Sequence, residues 1–148
     1  RKEAEGYIEK YFATYGKVKE FLDRTVEDAK KNGYTVTMFG RRRPIPELAS
    51  SNFMTRSFGE RAAMNAPVQG TAADIIKIAM VRVNRRLKEE HLQSKLVLQI
   101  HDELIIETKK EELEIVQKIL VEEMMHAADL TVPLLVDANV GDSWYDAK

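Results

Sequence analysis

The sequence predicts an α+β fold, with helices packed on a small antiparallel sheet. Three observations carry that expectation. Long amphipathic stretches, with apolar residues three and four positions apart, occupy much of the chain. Leu96 to Glu107, reading LVLQIHDELIIE, sets two apolar, β-leaning runs around one polar triplet, the pattern of a tight hairpin. Leu134 to Val140 alternates, with Val136, Ala138 and Val140 on one face and Asp137 and Asn139 on the other, as a half-buried strand does.

The elements follow in order. Ala4 to Lys31 is expected to be helical, because Tyr7, Ile8, Tyr11, Phe12, Tyr15, Val18 and their successors fall on one face. Asn32-Gly33 is a C-terminal stop, since glycine readily takes the left-handed conformation there. Aromatics this dense are expected in the core and are not evidence of base stacking. Tyr34 to Phe39 reads as a short strand turned by Gly40, and Pro44 and Pro46 are expected to forbid regular structure up to about Glu47. Asn52 to Ala66 reads as a helix interrupted by Pro67. A second helix runs from Thr71 to Glu90, with N-cap character at Thr71 and an apolar face that includes Ile76, Ala79, Val83 and Leu87. After the hairpin, Thr108 and Glu111 form a capping-box pattern that opens a helix to about Ala128, with Leu113, Val116, Ile119, Leu120, Met124 and Ala127 on its apolar face. The chain has no internal repeat, no low-complexity linker and no clear domain boundary.

At 148 residues the chain is one domain or a piece of a larger one, and 44% hydrophobic residues suffice for a core. With no cysteine, disulfide frameworks and thiolate sites are excluded, which suits a cytoplasmic protein. No apolar run approaches the roughly 20 residues of a membrane span, and no membrane partner or signal peptide is expected. A start at Arg1 instead of Met is expected of an excised fragment or a processed product. The net charge of −1 hides an asymmetry: +1 over residues 1–40, +6 over 41–95 and −8 over 96–148. A basic middle beside an acidic end fits a surface that holds a polyanion next to a site that holds cations. It fits equally an internal dipole that neutralises itself across an interface.

Two constellations carry candidate chemistry. His101-Asp102-Glu103, at the tip of the hairpin, would present two carboxylates and an imidazole on a rigid support, which a divalent-metal site requires. The competing reading is a polar turn that keeps the hairpin soluble. Arg61, Asn65 and Gln69 are spaced four apart among small residues and would share one face of a straight helix. These side chains can donate to groove-edge acceptors of a base pair, or cap carbonyls around Pro67. The run Arg41-Arg42-Arg43 offers either a phosphate contact or a solvated face.

FGERAAMNAPVQGTAADIIKIAM together with QIHDELIIE resembles the C-terminal end of a family A DNA polymerase, of the bacterial DNA polymerase I type. GYTVTMFGRRRPIPEL and the ending VDANVGDSWYDAK resemble further segments of that family, so the likeness covers essentially the whole chain. The resemblance implies that residues 1–148 are a C-terminal fragment of a polymerase domain. About 1–66 would form fingers-side helices and a ribbon, and about 67–148 a portion of the palm. It implies that Asp102 is a metal-binding catalytic aspartate of a two-ion Mg²⁺ site, with Glu103 its supporting acidic neighbour. It implies that His101 contacts the primer end, and that Arg61, Asn65 and Gln69 touch the minor groove of the primer–template DNA. The complete enzyme would add deoxynucleotides, taken from deoxynucleoside triphosphates, to a primer 3′-hydroxyl.

The departures from the family pattern are as informative. No stretch resembles DYSQIELR, which supplies the family's second metal-binding aspartate. The fingers helix that holds the incoming nucleotide and any exonuclease segment are also missing. The two-ion site is therefore expected to be incomplete here, and the lone chain inactive without the missing N-terminal part of the polymerase. Two further readings stand beside this one. One is a non-catalytic duplex-DNA-binding module derived from the same fold. The other is a small metal-dependent phosphoesterase, for which His91 and His126 offer no obvious pairing with the hairpin.

Overall fold

The structure, a computed structural model, describes residues 2–147. It has an α+β fold in two compact units, Arg1–Thr71 and Ala72–Lys148. The first holds helices α1 (Lys2–Thr14) and α2 (Gly16–Asn32), strands β1 (Tyr34–Val36) and β2 (Arg42–Pro44), a 3-10 turn at Pro46–Ala49, and the first half of α3 (Phe53–Glu89). The second holds the rest of α3, strands β3 (Lys95–Ile100) and β4 (Glu103–Glu107), a 3-10 turn at Lys110–Glu112, and α4 (Leu113–Met125). Both sheets are two-stranded antiparallel pairs, β1–β2 and β3–β4.

In the first unit the expected single helix over 4–31 is two helices. Tyr15 leaves the helical region, with φ −114° and ψ 55°, and the poor helix former Gly16 follows it. The stop at Asn32-Gly33 is present: Gly33 takes φ 80° and its N–H donates to the Ala29 carbonyl at 2.8 Å. The expectation that the aromatic face is core is corrected. Val26 and Ala29 are buried against Ile45, Leu48 and Ala63, whereas Tyr7, Tyr11 and Tyr15 are exposed. Nor do the two prolines exclude regular structure. Pro44 pairs with Tyr34 at the end of a two-stranded ribbon, and Pro46 opens the 3-10 turn, where a missing N–H costs nothing.

The largest correction concerns Pro67. The expected break does not occur, and α3 runs 37 residues with Pro67 inside it. Its start matches expectation: the Asn52 side-chain oxygen accepts from the N–H groups of Met54 and Thr55, at 2.9 and 3.2 Å. Thr71, expected as an N-cap, sits within the helix. Its hydroxyl donates to the Pro67 carbonyl at 2.6 Å.

In the second unit the core joins α3, β4 and α4 through Ile76, Ala79, Val83, Leu87, Leu104, Val116 and Ile119, with Val83 and Ile119 fully buried. The apolar faces expected for these helices largely coincide with it. Arg86 adds a polar link from α3 to α4, pairing with Glu122 at 3.2 Å and Glu123 at 3.0 Å. Two expectations fail here. The Thr108–Glu111 capping box does not form, because the Thr108 hydroxyl donates to the Ile106 carbonyl and a 3-10 turn precedes α4. Residues 134–140 keep an in–out alternation of burial through Asn139 but are not a strand, because no neighbouring strand pairs with them among the described residues. The Gln117 side-chain amide donates to the Ala138 carbonyl at 3.0 Å.

Candidate active-site hairpin and nucleic-acid face

The β3–β4 hairpin turns in two residues. Ile100 pairs with Glu103, which leaves His101 and Asp102 as the loop. Such a tight connection requires a positive φ at its first position, and His101 supplies it at φ 50°. A left-handed non-glycine residue is uncommon, although histidine tolerates it better than most. The Gln99 side-chain amide donates to the His101 carbonyl at 2.7 Å and fastens the turn. Gln99 was not singled out as a functional residue from the sequence; the visible signal is one polar residue inside the apolar run LVLQI. A bulge at Val97, between the Leu96–Ile106 and Leu98–Ile105 pairs, sharpens the local twist.

This geometry leaves His101, Asp102 and Glu103 exposed at the tip. Asp102 and Glu103 line one end of an open cleft of about 1300 Å³, whose walls include Val116, Leu120, Val136 and Trp144. Their oxygens are the hard donors that suit Mg²⁺. They fit one side of a metal shell and not a whole one: among the described residues no group of three or more His, Cys, Asp or Glu is placed to hold an ion. His91 lies in the turn after α3, and His126 caps α4 with its Nδ1 2.7 Å from the Glu122 carbonyl oxygen.

The base of the hairpin is clamped by Glu112. Its carboxylate accepts from the Gln93 N–H at 2.9 Å, the Ser94 N–H at 2.9 Å and the Ser94 hydroxyl at 2.5 Å. The Ser94 hydroxyl oxygen accepts from the Lys109 N–H at 3.1 Å, so the chain entering β3 and the chain leaving β4 share one polar knot. The Gln93 and Ser94 hydrogen bonds hold the Glu112 carboxyl below its ordinary value of 4.5. A carboxyl depressed in the folded state contributes stability that is present above its unfolded pKa and lost as the pH falls through its folded pKa. Acidification from neutral pH to about pH 3 should therefore destabilise the parent protein more steeply than Glu112→Gln. Thermal unfolding across that range checks it, and parallel pH profiles for the two proteins would contradict it.

In the first unit, the continuous course of α3 puts Arg61, Asn65 and Gln69 at steps of four along one helix face, all three exposed. The Arg61 guanidinium is steadied by donating to the Ser57 hydroxyl at 3.1 Å. The three neighbouring arginines have distinct settings. Arg41 donates to the Gly70 carbonyl at 2.9 Å, Arg42 lies 4.8 Å over the Tyr34 ring, and Arg43 is exposed on β2. The first unit thus presents a polar helix face with one guanidinium and two amides, and the second, separately, an exposed pair of carboxylates on a two-residue hairpin.

The sequence profile of DNA polymerase family A matches residues 1–146, and the chain belongs to that family. DNA polymerase I of Geobacillus stearothermophilus and that of Bacillus subtilis are each 53% identical to it over all 148 residues. The chain spans 17% of the length of each of these relatives. Among solved structures, the polymerase domain of Pol1 from M. smegmatis, in complex with DNA primer-template and dNTP, superposes with a TM-score of 0.95 at 46% identity. That match covers 99% of this chain and 26% of the other. No helix among the described residues is long and apolar enough to cross a membrane.

Proposed function

We propose that the chain is the C-terminal part of a DNA-directed DNA polymerase, in which Asp102 is a catalytic aspartate and the face of Arg61, Asn65 and Gln69 holds the primer–template duplex. The observation that carries this reading is the exposed Asp102 on a two-residue hairpin, in a chain whose family match runs from residue 1 to 146. About 1–66 would serve as fingers-side elements and about 67–148 as palm, with the protein acting in the cytoplasm. The remainder of the polymerase would cover the cleft beside the hairpin, where Val97, Leu135, Val140 and Trp144 are exposed.

The residues divide the work by their chemistry. Asp102, with Glu103 beside it, would hold Mg²⁺ jointly with carboxylates from the rest of the enzyme. When bound, Mg²⁺ supplies charge compensation for phosphoryl transfer from a deoxynucleoside triphosphate to the primer 3′-hydroxyl. His101, with its backbone locked by the turn, would contact the primer end. Arg61, Asn65 and Gln69 are donors, and the minor groove offers acceptors shared by all Watson–Crick pairs. Contacts there test pairing geometry without reading sequence.

The duplex-binding half of this proposal predicts that affinity of the complete enzyme for primer–template falls steeply with salt, as counterion release requires. Arg61→Ala should weaken duplex binding on the order of tenfold, the loss expected of a charge-assisted hydrogen bond. A binding titration at several salt concentrations checks both. Unchanged affinity in Arg61→Ala would refute the groove contact.

A further inference from the structure

The proline inside α3 creates a mechanical problem. Pro67 has no N–H, so the Ala63 carbonyl loses its helical donor and the helix is weakened in the turn that ends two residues before Gln69. The turn between β1 and β2 is seated on that weak point. The Met38 N–H donates to the Thr71 hydroxyl at 3.0 Å, and the same hydroxyl donates to the Pro67 carbonyl. Arg41 reaches across to the Gly70 carbonyl. The turn is itself closed by the Thr37 N–H donating to the Arg41 carbonyl at 2.9 Å and the Arg41 N–H donating to the Thr37 hydroxyl at 3.2 Å. Packing leaves no slack: a Cβ on Gly70 would lie 2.7 Å from Thr37 Cγ2, and Thr37 is buried.

We propose that this turn is a bracket that fixes the course of α3 at Pro67 and so aligns Gln69 with Asn65 and Arg61. On this view Thr37, Arg41 and Thr71 are positioning residues that set how strictly the enzyme tests the primer terminus. The inference rests on the groove-contact reading given above. Its physical basis is that donors can discriminate a paired from a mispaired terminus only if they are held to within about 0.5 Å. The bracket supplies that restraint where the helix cannot supply it alone. Arg41 thereby acts through the Gly70 carbonyl, beside Gln69, in a role separate from any phosphate contact by its neighbours.

The experiment uses the complete polymerase that carries this segment. Single-turnover extension is measured on primers with matched and mismatched 3′ ends, with active-site titration and a melting curve for each variant. Gln69→Ala should lower the matched-to-mismatched ratio roughly tenfold. Arg41→Ala should lower it similarly, with little further loss in the Arg41→Ala, Gln69→Ala double variant, because the two act in series. Gly70→Ala should lower it as well, by displacing Thr37 without removing a polar group. Adding Thr37→Ser, which deletes the clashing methyl and keeps the hydroxyl, should restore it. The bracket is refuted if Gln69→Ala lowers the ratio while Arg41→Ala and Gly70→Ala change only melting temperature or active fraction. If Gln69→Ala itself leaves the ratio unchanged, the groove-contact reading fails and takes the bracket's purpose with it.

Discussion

Asp102→Ala in the complete polymerase is expected to reduce primer extension by about three orders of magnitude or more while leaving primer–template binding largely intact. The separation follows from where the residue sits. Asp102 occupies the tip of a two-residue turn, exposed, and is not among the residues that build the core of its unit. Truncating it removes a carboxylate without opening a cavity, so the fold and the proposed duplex-binding face should survive. Charge on the transferring phosphoryl group is then left uncompensated, which costs several kcal/mol of transition-state stabilisation. Glu103→Ala should be milder, since the role proposed for it is support. A primer-extension assay run beside a binding assay on the same proteins tests this. Normal extension by Asp102→Ala would remove the basis for calling the hairpin catalytic.

Residues 1–148 alone are expected to give no measurable primer extension with Mg²⁺ and all four deoxynucleotides. The hairpin offers two adjacent carboxylates, and no three potential ligands converge among the described residues. No segment of the chain resembles the family helix that positions the incoming nucleotide, and positioning is a large share of phosphoryl-transfer catalysis. Loss of ligands and loss of positioning compound each other. Robust extension by the isolated chain, free of contaminating polymerase, would show that the hairpin and α3 suffice.

Much of this was legible in the residues. The hairpin could be read because its pattern is local: two short apolar, β-leaning runs flank the single triplet His101-Asp102-Glu103. The apolar faces of α3 and α4 could be read for the same reason at a helical period. The Gly33 stop involves a partner four residues back, and the helix expected from Asn52 starts on partners within three residues. Three of the misreadings turned on partners far along the chain. Pro67 looks like a break when only its neighbours are considered. The helix continues because Met38, 33 residues before Thr71, and Arg41, 29 residues before Gly70, brace it from another element. Thr108 and Glu111 match a capping box, yet the adjacent Glu112 finds Gln93 and Ser94 across the hairpin, and α4 starts from a different turn. Residues 134–140 alternate like a strand but remain unpaired, since alternation encodes a two-sided environment and not a neighbour to bond with. The sequence by itself therefore determined the family, the core-facing sides of α3 and α4 and the placement of Asp102 in a turn. Tertiary structure alone decided that Arg61, Asn65 and Gln69 share one unbroken helix, because a weakened helical turn is kept or lost according to hydrogen bonds that arrive from elsewhere in the chain.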